Sequence, residues 1–190
     1  MNEIHTHLTV CAAEASRVAR GVTAEQLGTP SVCADWTVRE LANHLVLYSA
    51  HGLEHRALRT RLPEETVQRD FATEDGWAEA YAAQLDRALA AWEKPEAWEG
   101  DVDMGGSALP ATEIAAMLVE ELALHGWDLA RSTGQDFTLP EGTAVFLLDV
   151  VGRYAEMYRQ YEGFATAVDV PDDAPTLDRA LAMSGRNPKD

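Results

Sequence analysis

Apolar residues recur at steps of three and four along much of this chain, the spacing of helices that bury one face. Over residues about 3 to 19 the stripe is Ile4, Leu8, Cys11, Ala15 and Val18, which predicts an amphipathic helix. Gly21, Gly28 and Pro30 then break the period, leaving room for one short helical turn after Thr23. Thr37 and Glu40 have the spacing of a capping box, and Trp36 and Leu41 stand at the two positions of a hydrophobic staple. A second helix is therefore expected to begin here and run to roughly residue 60, with Val38, Leu41, Leu45 and Tyr48 on one face. Beyond Pro63, the series Trp77, Tyr81, Leu85, Leu89 and Trp92 predicts a third helix, which Pro95 stops. Residues 96–109, rich in Gly and Asp, read as a loop or short hairpin around Gly105 and Gly106. Pro110 suits the first turn of a fourth helix that continues to Gly134. A fifth helical run spans about 142 to 160, and a short amphipathic turn is expected near the end, within VPDDAPTLDRALAMSGRNP. Four or five long helices with little strand signal predict an all-α antiparallel bundle, read as a single domain over residues 1–190.

Composition narrows the partners. With 46% hydrophobic and 25% charged residues the chain is globular rather than disordered. Fifteen basic residues against 32 acidic ones give a net charge of −17, which repels nucleic-acid backbones and anionic membrane surfaces. No apolar run approaches the roughly 18 residues of a membrane helix, and the start MNEIHTHL lacks the marks of a signal peptide, so a cytoplasmic protein is expected. Cys11 and Cys33 are too few for a disulfide framework and are expected to be buried, reduced thiols.

Against this background, three ionisable residues stand on faces that should be apolar. His44 lies three residues after Leu41 and four before Tyr48, and so projects from the core stripe of the second helix. On the fourth helix Glu121 follows Leu118 by three, and His125 follows Glu121 by four, one turn apart on the inward face. An unpaired carboxylate in such a place costs several kcal/mol, so Glu121 needs a cation, a proton or strong donors. A divalent metal held by His44, Glu121 and His125 would satisfy all three, with coordination positions left for water or substrate. Two imidazoles and a carboxylate suit zinc first, and Fe²⁺, Ni²⁺ or Mn²⁺ fit the same set. Spacing alone leaves open a plain ion pair between Glu121 and an Arg or Lys of another helix.

Other candidates are weaker. His51 and His55 continue the face of His44 and read as an extra ligand or as partly exposed residues near the cavity mouth. Asp128, three residues after His125, is placed either to accept that ring's second proton or to sit on the helix surface. His5 and His7 near the terminus carry no specific role, and Tyr48, Trp77 and Trp92 read as packing. Gly105, Gly106 and Ser107 do not form a phosphate loop, and no GxSxG elbow is present.

The stretches GVTAEQLGTPSVCADWTVRELANHL (21–45), ELALHGWDLARSTGQ (121–135) and FATAVDVPDDAPTLDRALAMSGRNP (164–188) together resemble the DinB-like superfamily, and within it the branch related to mycothiol-dependent maleylpyruvate isomerase. The resemblance implies a DinB-like antiparallel four-helix bundle with an additional helix and the short loop or hairpin insertion. It also implies a divalent metal, with one ligand in the WTVRELANH motif and two at i, i+4 in the HGWD helix. These positions are His44, Glu121 and His125, the set chosen above from helix faces. Members with known activity use a low-molecular-weight thiol such as mycothiol, in isomerisation or in S-transfer to electrophiles. The metal would bind the thiol sulfur and lower its pKa. In the isomerase type the thiolate would add to a conjugated double bond, permit rotation, and leave. The isomerase itself resembles a two-domain protein, and the present chain reads as its metal-binding domain.

Two functions follow as expectations. One is a thiol-dependent S-transferase or isomerase-like enzyme with a small-molecule thiol and an electrophile as partners. The other is a non-catalytic small-ligand-binding or stress-response module with a structural metal, and a metal-free helical interaction protein stands behind both. A homodimer is compatible with each, since bundles of this size often pair.

Overall fold

In the computed structural model of the chain, residues 2–33, 35–103 and 105–189 are described. Ala34, in the break before the second helix, and Met104, in the insertion at 96–109, lie outside them. Contacts divide the chain into two compact units, Met1–Thr138 and Leu139–Asp190.

The first unit is a bundle of four helical rods. They are α1 (Glu3–Arg20), the run α2 (Val38–His44) to α3 (Gly52–Leu58), α5 (Trp77–Trp92) and α6 (Ala111–Ser132). A single turn, α4 (Glu64–Val67), and 3₁₀ turns at Phe71–Thr73 and Pro95–Trp98 occupy the connections. The α1 rod packs on α5 and α6, and the α2–α3 rod packs on the same two helices, so the four close a ring around one core. Leu8, Leu41, Leu45, Leu53, Tyr81, Leu85, Trp92, Ile114 and Leu122 fill it, each under 2% exposed. Burial all round α6, from Ala111 to Ala130, marks it as the central rod. At Gly126 a Cβ would lie 2.9 Å from the Phe137 ring, so the absence of a side chain there leaves room for that ring against α6, while Ala15 of α1 stands at ordinary contact distance, 3.5 Å.

Cross-links fix the directions of the rods. His5 Nε2 donates to the Leu89 carbonyl (3.1 Å) while Arg20 pairs with Glu79, so α1 and α5 run antiparallel. Ser49 meets Tyr81 at 3.2 Å and Gln84 donates to Glu54 at 2.6 Å, so α3 and α5 run parallel. Two consecutive parallel rods require the chain to return to its starting end, and the segment from 59 to 76 does this. Asp70 accepts from Arg39 and from Asn43 (2.9 Å), and the Ala72 amide donates to Asn43 (2.9 Å), which ties the returning segment to the beginning of α2.

The expected capping box is formed. Thr37 Oγ1 accepts from the Glu40 amide at 3.3 Å, and Glu40 accepts from the Thr37 amide at 2.7 Å. The helix that follows is not uniform, however. Leu45–His51 is a π-helical turn between α2 and α3. Within it the Ser49 hydroxyl donates to the Leu45 carbonyl (2.6 Å), the acceptor that an α pattern reserves for the Ser49 amide, and the Gly52 amide reaches back five residues to Leu47. The wider turn shifts the register. Val38, Leu41 and Leu45 are buried as expected, but Tyr48 is rotated out of that stripe and is 41% exposed.

Smaller differences have similar local causes. Pro110 precedes α6 rather than entering its first turn, because it closes a hairpin of β1 (Asp101–Asp103) and β2 (Ala108–Pro110) in which Asp101 pairs with Pro110 and Val102 with Leu109. The segment after Thr23 forms turns, not helix. Cys11 is buried, but Cys33 is only half-buried, since it lies in the loop before α2. In the second unit, α7 (Glu141–Gln160) packs on α8 (Thr176–Met183), a two-turn helix where a short turn was expected. Among the described residues no helix is long and apolar enough to cross a membrane.

Two measurements test this account of α2. Thr37→Ala should cost about 1 kcal/mol in denaturant unfolding, the usual loss of an N-cap. Burial holds the His51 imidazole below the ordinary histidine range, so as pH falls through about 6.5 the unfolded chain takes up a proton that the folded chain resists. Stability should fall with that acidification, and His51→Gln should flatten this part of the curve of unfolding free energy against pH.

Candidate metal centre

The last turn of α2 and the middle of α6 bring His44, Glu121 and His125 together. His44 Nε2 donates to Glu121 Oε1 at 2.7 Å, and His125 Nε2 lies 3.7 Å from Glu121 Oε2. One ligand atom from each residue falls within 4.8 Å of the others. The imidazole centroids are 4.6 Å apart. Glu121 and His125 share a face because they are one helical turn apart; His44 faces them because α2 packs on α6.

Electrostatics favour an ionised carboxylate at the centre of this set. Burial pushes the Glu121 carboxyl up, but the charge on His125, the hydrogen bond and charge of His44, and the charge of Arg56 together outweigh it and hold the group below the usual carboxylate range. The three side chains remain 19 to 24% exposed, so one side of the cluster opens to solvent.

Asp128 supplies the support behind this set. Only 2% exposed, it accepts from His125 Nδ1 at 2.9 Å and from the Cys33 thiol at 3.2 Å. A carboxylate on Nδ1 holds a proton there, so that in the neutral ring Nε2 is the unprotonated nitrogen, available to an ion in the cluster. Of the two readings of Asp128, the geometry is the one behind the histidine. Cys33, His125 and Asp128 also form a second group of mutually close donors.

Other residues named from the sequence go elsewhere. His51 stacks on Phe71 with centroids 5.3 Å apart, carried off the face of His44 by the π turn. The His55 Nδ1 lies 2.7 Å from Thr60 Oγ1. His5 and His7 are buried. Trp77 begins α5 and Trp92 is core, its indole donating to the Leu53 carbonyl at 2.9 Å. Two neighbours were not foreseen. Trp36, read as a staple, lies 4.9 Å from the His44 ring and 6.2 Å from that of His125, and Tyr48, read as packing, lies 4.8 Å from His44. The position of Trp36 directly before the capping Thr37 was the available signal, because it fixes the indole to the same turn that leads to His44.

A four-rod helical bundle with this ligand-type cluster between two rods matches the class of DinB-like folds. Residues 8–130 match the family model described as the mycothiol maleylpyruvate isomerase N-terminal domain, and the chain belongs to that family. Two uncharacterized proteins of Mycobacterium tuberculosis, from strains CDC 1551 / Oshkosh and H37Rv, are each 28% identical over 169 residues, covering 87% of this chain and 87% of theirs. A crystal structure of the mycothiol-dependent maleylpyruvate isomerase superposes with a TM-score of 0.63 at 23% identity, over 82% of this chain and 71% of that one. A histidine-to-alanine mutant of that isomerase gives 0.58 at 19% identity with the same coverage. At these identities the likeness to the solved structures is one of fold.

The Asp128 contact has a spectroscopic consequence. Neutral His125 should be found as the Nδ1–H tautomer in long-range ¹H–¹⁵N spectra, and Asp128→Ala should release it toward the ordinary mixture; an unchanged tautomer in that variant would remove the role given to Asp128.

Proposed function

We propose that the chain is a divalent-metal-binding enzyme that uses a low-molecular-weight thiol, mycothiol or a close analogue, in S-transfer to or isomerisation of an electrophilic small molecule. The observation that carries this reading is the convergence of His44, Glu121 and His125 donor atoms within 4.8 Å, on a side still open to solvent. The donor set fits a metal on chemical grounds: two imidazoles and an ionised carboxylate match zinc, with nickel, iron or manganese as alternatives, and His125 already has its outer nitrogen bound to Asp128. When bound, such an ion supplies the Lewis acidity that keeps a thiol sulfur deprotonated at neutral pH.

The chain's own residues supply the rest. Glu121 neutralises part of the ionic charge, Asp128 holds His125 in one tautomer, and the rings of Trp36 and Tyr48 flank His44 and limit the approach of water. The nucleophilic sulfur belongs to the cosubstrate. Cys11 is buried, its thiol pushed up to about 12 by burial and by the nearby Glu14, and the Cys33 thiol donates a hydrogen bond to Asp128. The proposed partners are therefore a thiol and an electrophile in the cytoplasm, with nucleic acid and membranes disfavoured by the acidic surface.

The rival reading, a structural metal in a non-catalytic binding module, needs the coordination shell closed by a fourth protein ligand. Of the two residues that would close it, His51 is stacked on Phe71 and Asp128 is hydrogen-bonded to the outer nitrogen of His125. This favours an open position and hence chemistry.

Metal analysis of natively purified protein should find about one divalent ion per chain, lost in His44→Ala and Glu121→Ala. Retention should weaken as the solution is made acidic, because the ligand imidazoles bind the ion only when unprotonated and protons compete for them. Glu121→Ala should also abolish turnover of mycothiol with an electrophile; turnover that survives in that variant overturns the mechanism, and a metal without exchangeable water returns the structural reading.

A further inference from the structure

Away from the metal-centre residues, a cavity of about 700 Å³ opens between the end of α3 and the β1–β2 hairpin. That volume lies in the range of small-molecule sites. Its lining is unlike the rest of the chain: Arg56, Arg59 and Arg61 line it within one short stretch, in a sequence with 32 acidic and 15 basic residues. Asp101 and Asp103 face them from the hairpin.

The arginines are arranged rather than merely near one another. Arg59 donates to the carbonyls of Ala97 and Glu99 at 3.0 and 2.9 Å, and also to that of Arg56. These acceptors are neutral, so they set the orientation of the guanidinium and leave its charge uncancelled. Arg61 and Asp103 are 3.9 Å apart with side chains 92% and 70% exposed, a contact worth little in water. Asp103 is also engaged in its own turn, where it accepts from the Gly105 amide at 2.8 Å. Arg56 has the most specific seat. A Cβ on Gly52 would lie 2.6 Å from its Nη1, so the guanidinium folds onto the helix in space that only glycine leaves.

We propose that this cavity is a binding site for the oxyanionic end of a small organic molecule, with Arg56, Arg59 and Arg61 as its recognition residues and Gly52 as the seat of Arg56. A guanidinium presents five N–H donors in a planar fork, enough to keep a protein partner and still engage a carboxylate or phosphate. The acidic surface elsewhere repels anions, so this wall is the favourable place for one to settle. Arg56 also lends its charge to Glu121, so an anion bound here sits in electrostatic contact with the metal-centre carboxylate. The inference does not rest on the metal reading: His44, Glu121 and His125 do not line the cavity.

Calorimetric titration of the purified chain with malonate and with inorganic phosphate tests it, without thiol or turnover. Saturable binding of at least one anion is expected; preference for malonate identifies an organic acid as the ligand class, and preference for phosphate a phosphate ester. Arg56→Gln should weaken binding at least about tenfold, the loss of a charge-assisted contact. Gly52→Ala, which removes no charge, should weaken it as well by displacing the guanidinium. Arg153→Gln, which removes the same charge from α7, should leave it unchanged, and thermal melts show that each variant is folded. No saturable binding of either anion by the wild type, or equal affinity in wild type and Arg56→Gln, overturns the proposal.

Discussion

The carboxylate of Glu121, drawn partly out of water between two imidazoles, is the constraint around which this bundle is organised. An ionised group in that position must be met by positive charge and hydrogen-bond donors. His125 comes from the same helix and is available to any sequence with that spacing. His44 is not: its 2.7 Å contact requires α2 to begin at a fixed place and to lie against α6 at a fixed rotation. The capping box sets the first of these, and the buried face of Val38, Leu41 and Leu45 sets the second.

Much of this was legible in the residues because it is local. Periodicity predicts α5 from Trp77 to Trp92, the spacing of Thr37 and Glu40 predicts the start of α2, and the anomaly of polar residues on apolar stripes points to His44, Glu121 and His125 before any geometry is known. The route of the chain was less legible. That α3 and α5 run parallel depends on the return of residues 59–76 to the start of α2, tied through Asp70 and Asn43. No periodic signal carries that information, since it resides in side-chain contacts between distant segments.

The π turn explains the most instructive differences. Reading Leu45–His51 with the α period puts Tyr48 in the core and His51 and His55 behind His44. One shared carbonyl, accepting from the Ser49 hydroxyl, accompanies a wider turn that sends Tyr48 toward solvent beside His44 and His51 onto Phe71. The Ser49 hydroxyl thus belongs to the turn that sets which aromatic rings border the site. The arginine wall was hidden for a different reason. Arg56, Arg59 and Arg61 look like ordinary surface charges in one dimension, and become a cluster only when the hairpin folds opposite them.

The indole of Trp36 gives the protein a property unrelated to binding or stability. It stands 4.9 Å from one imidazole of the cluster and 6.2 Å from the other, whereas Trp92 and Trp98 lie against each other elsewhere. A change of charge on those imidazoles alters the electric field across this chromophore. Among the indoles of the chain, Trp36 therefore stands where an intrinsic optical reporter of the electrical state of the centre would be placed, without a label and without a substrate.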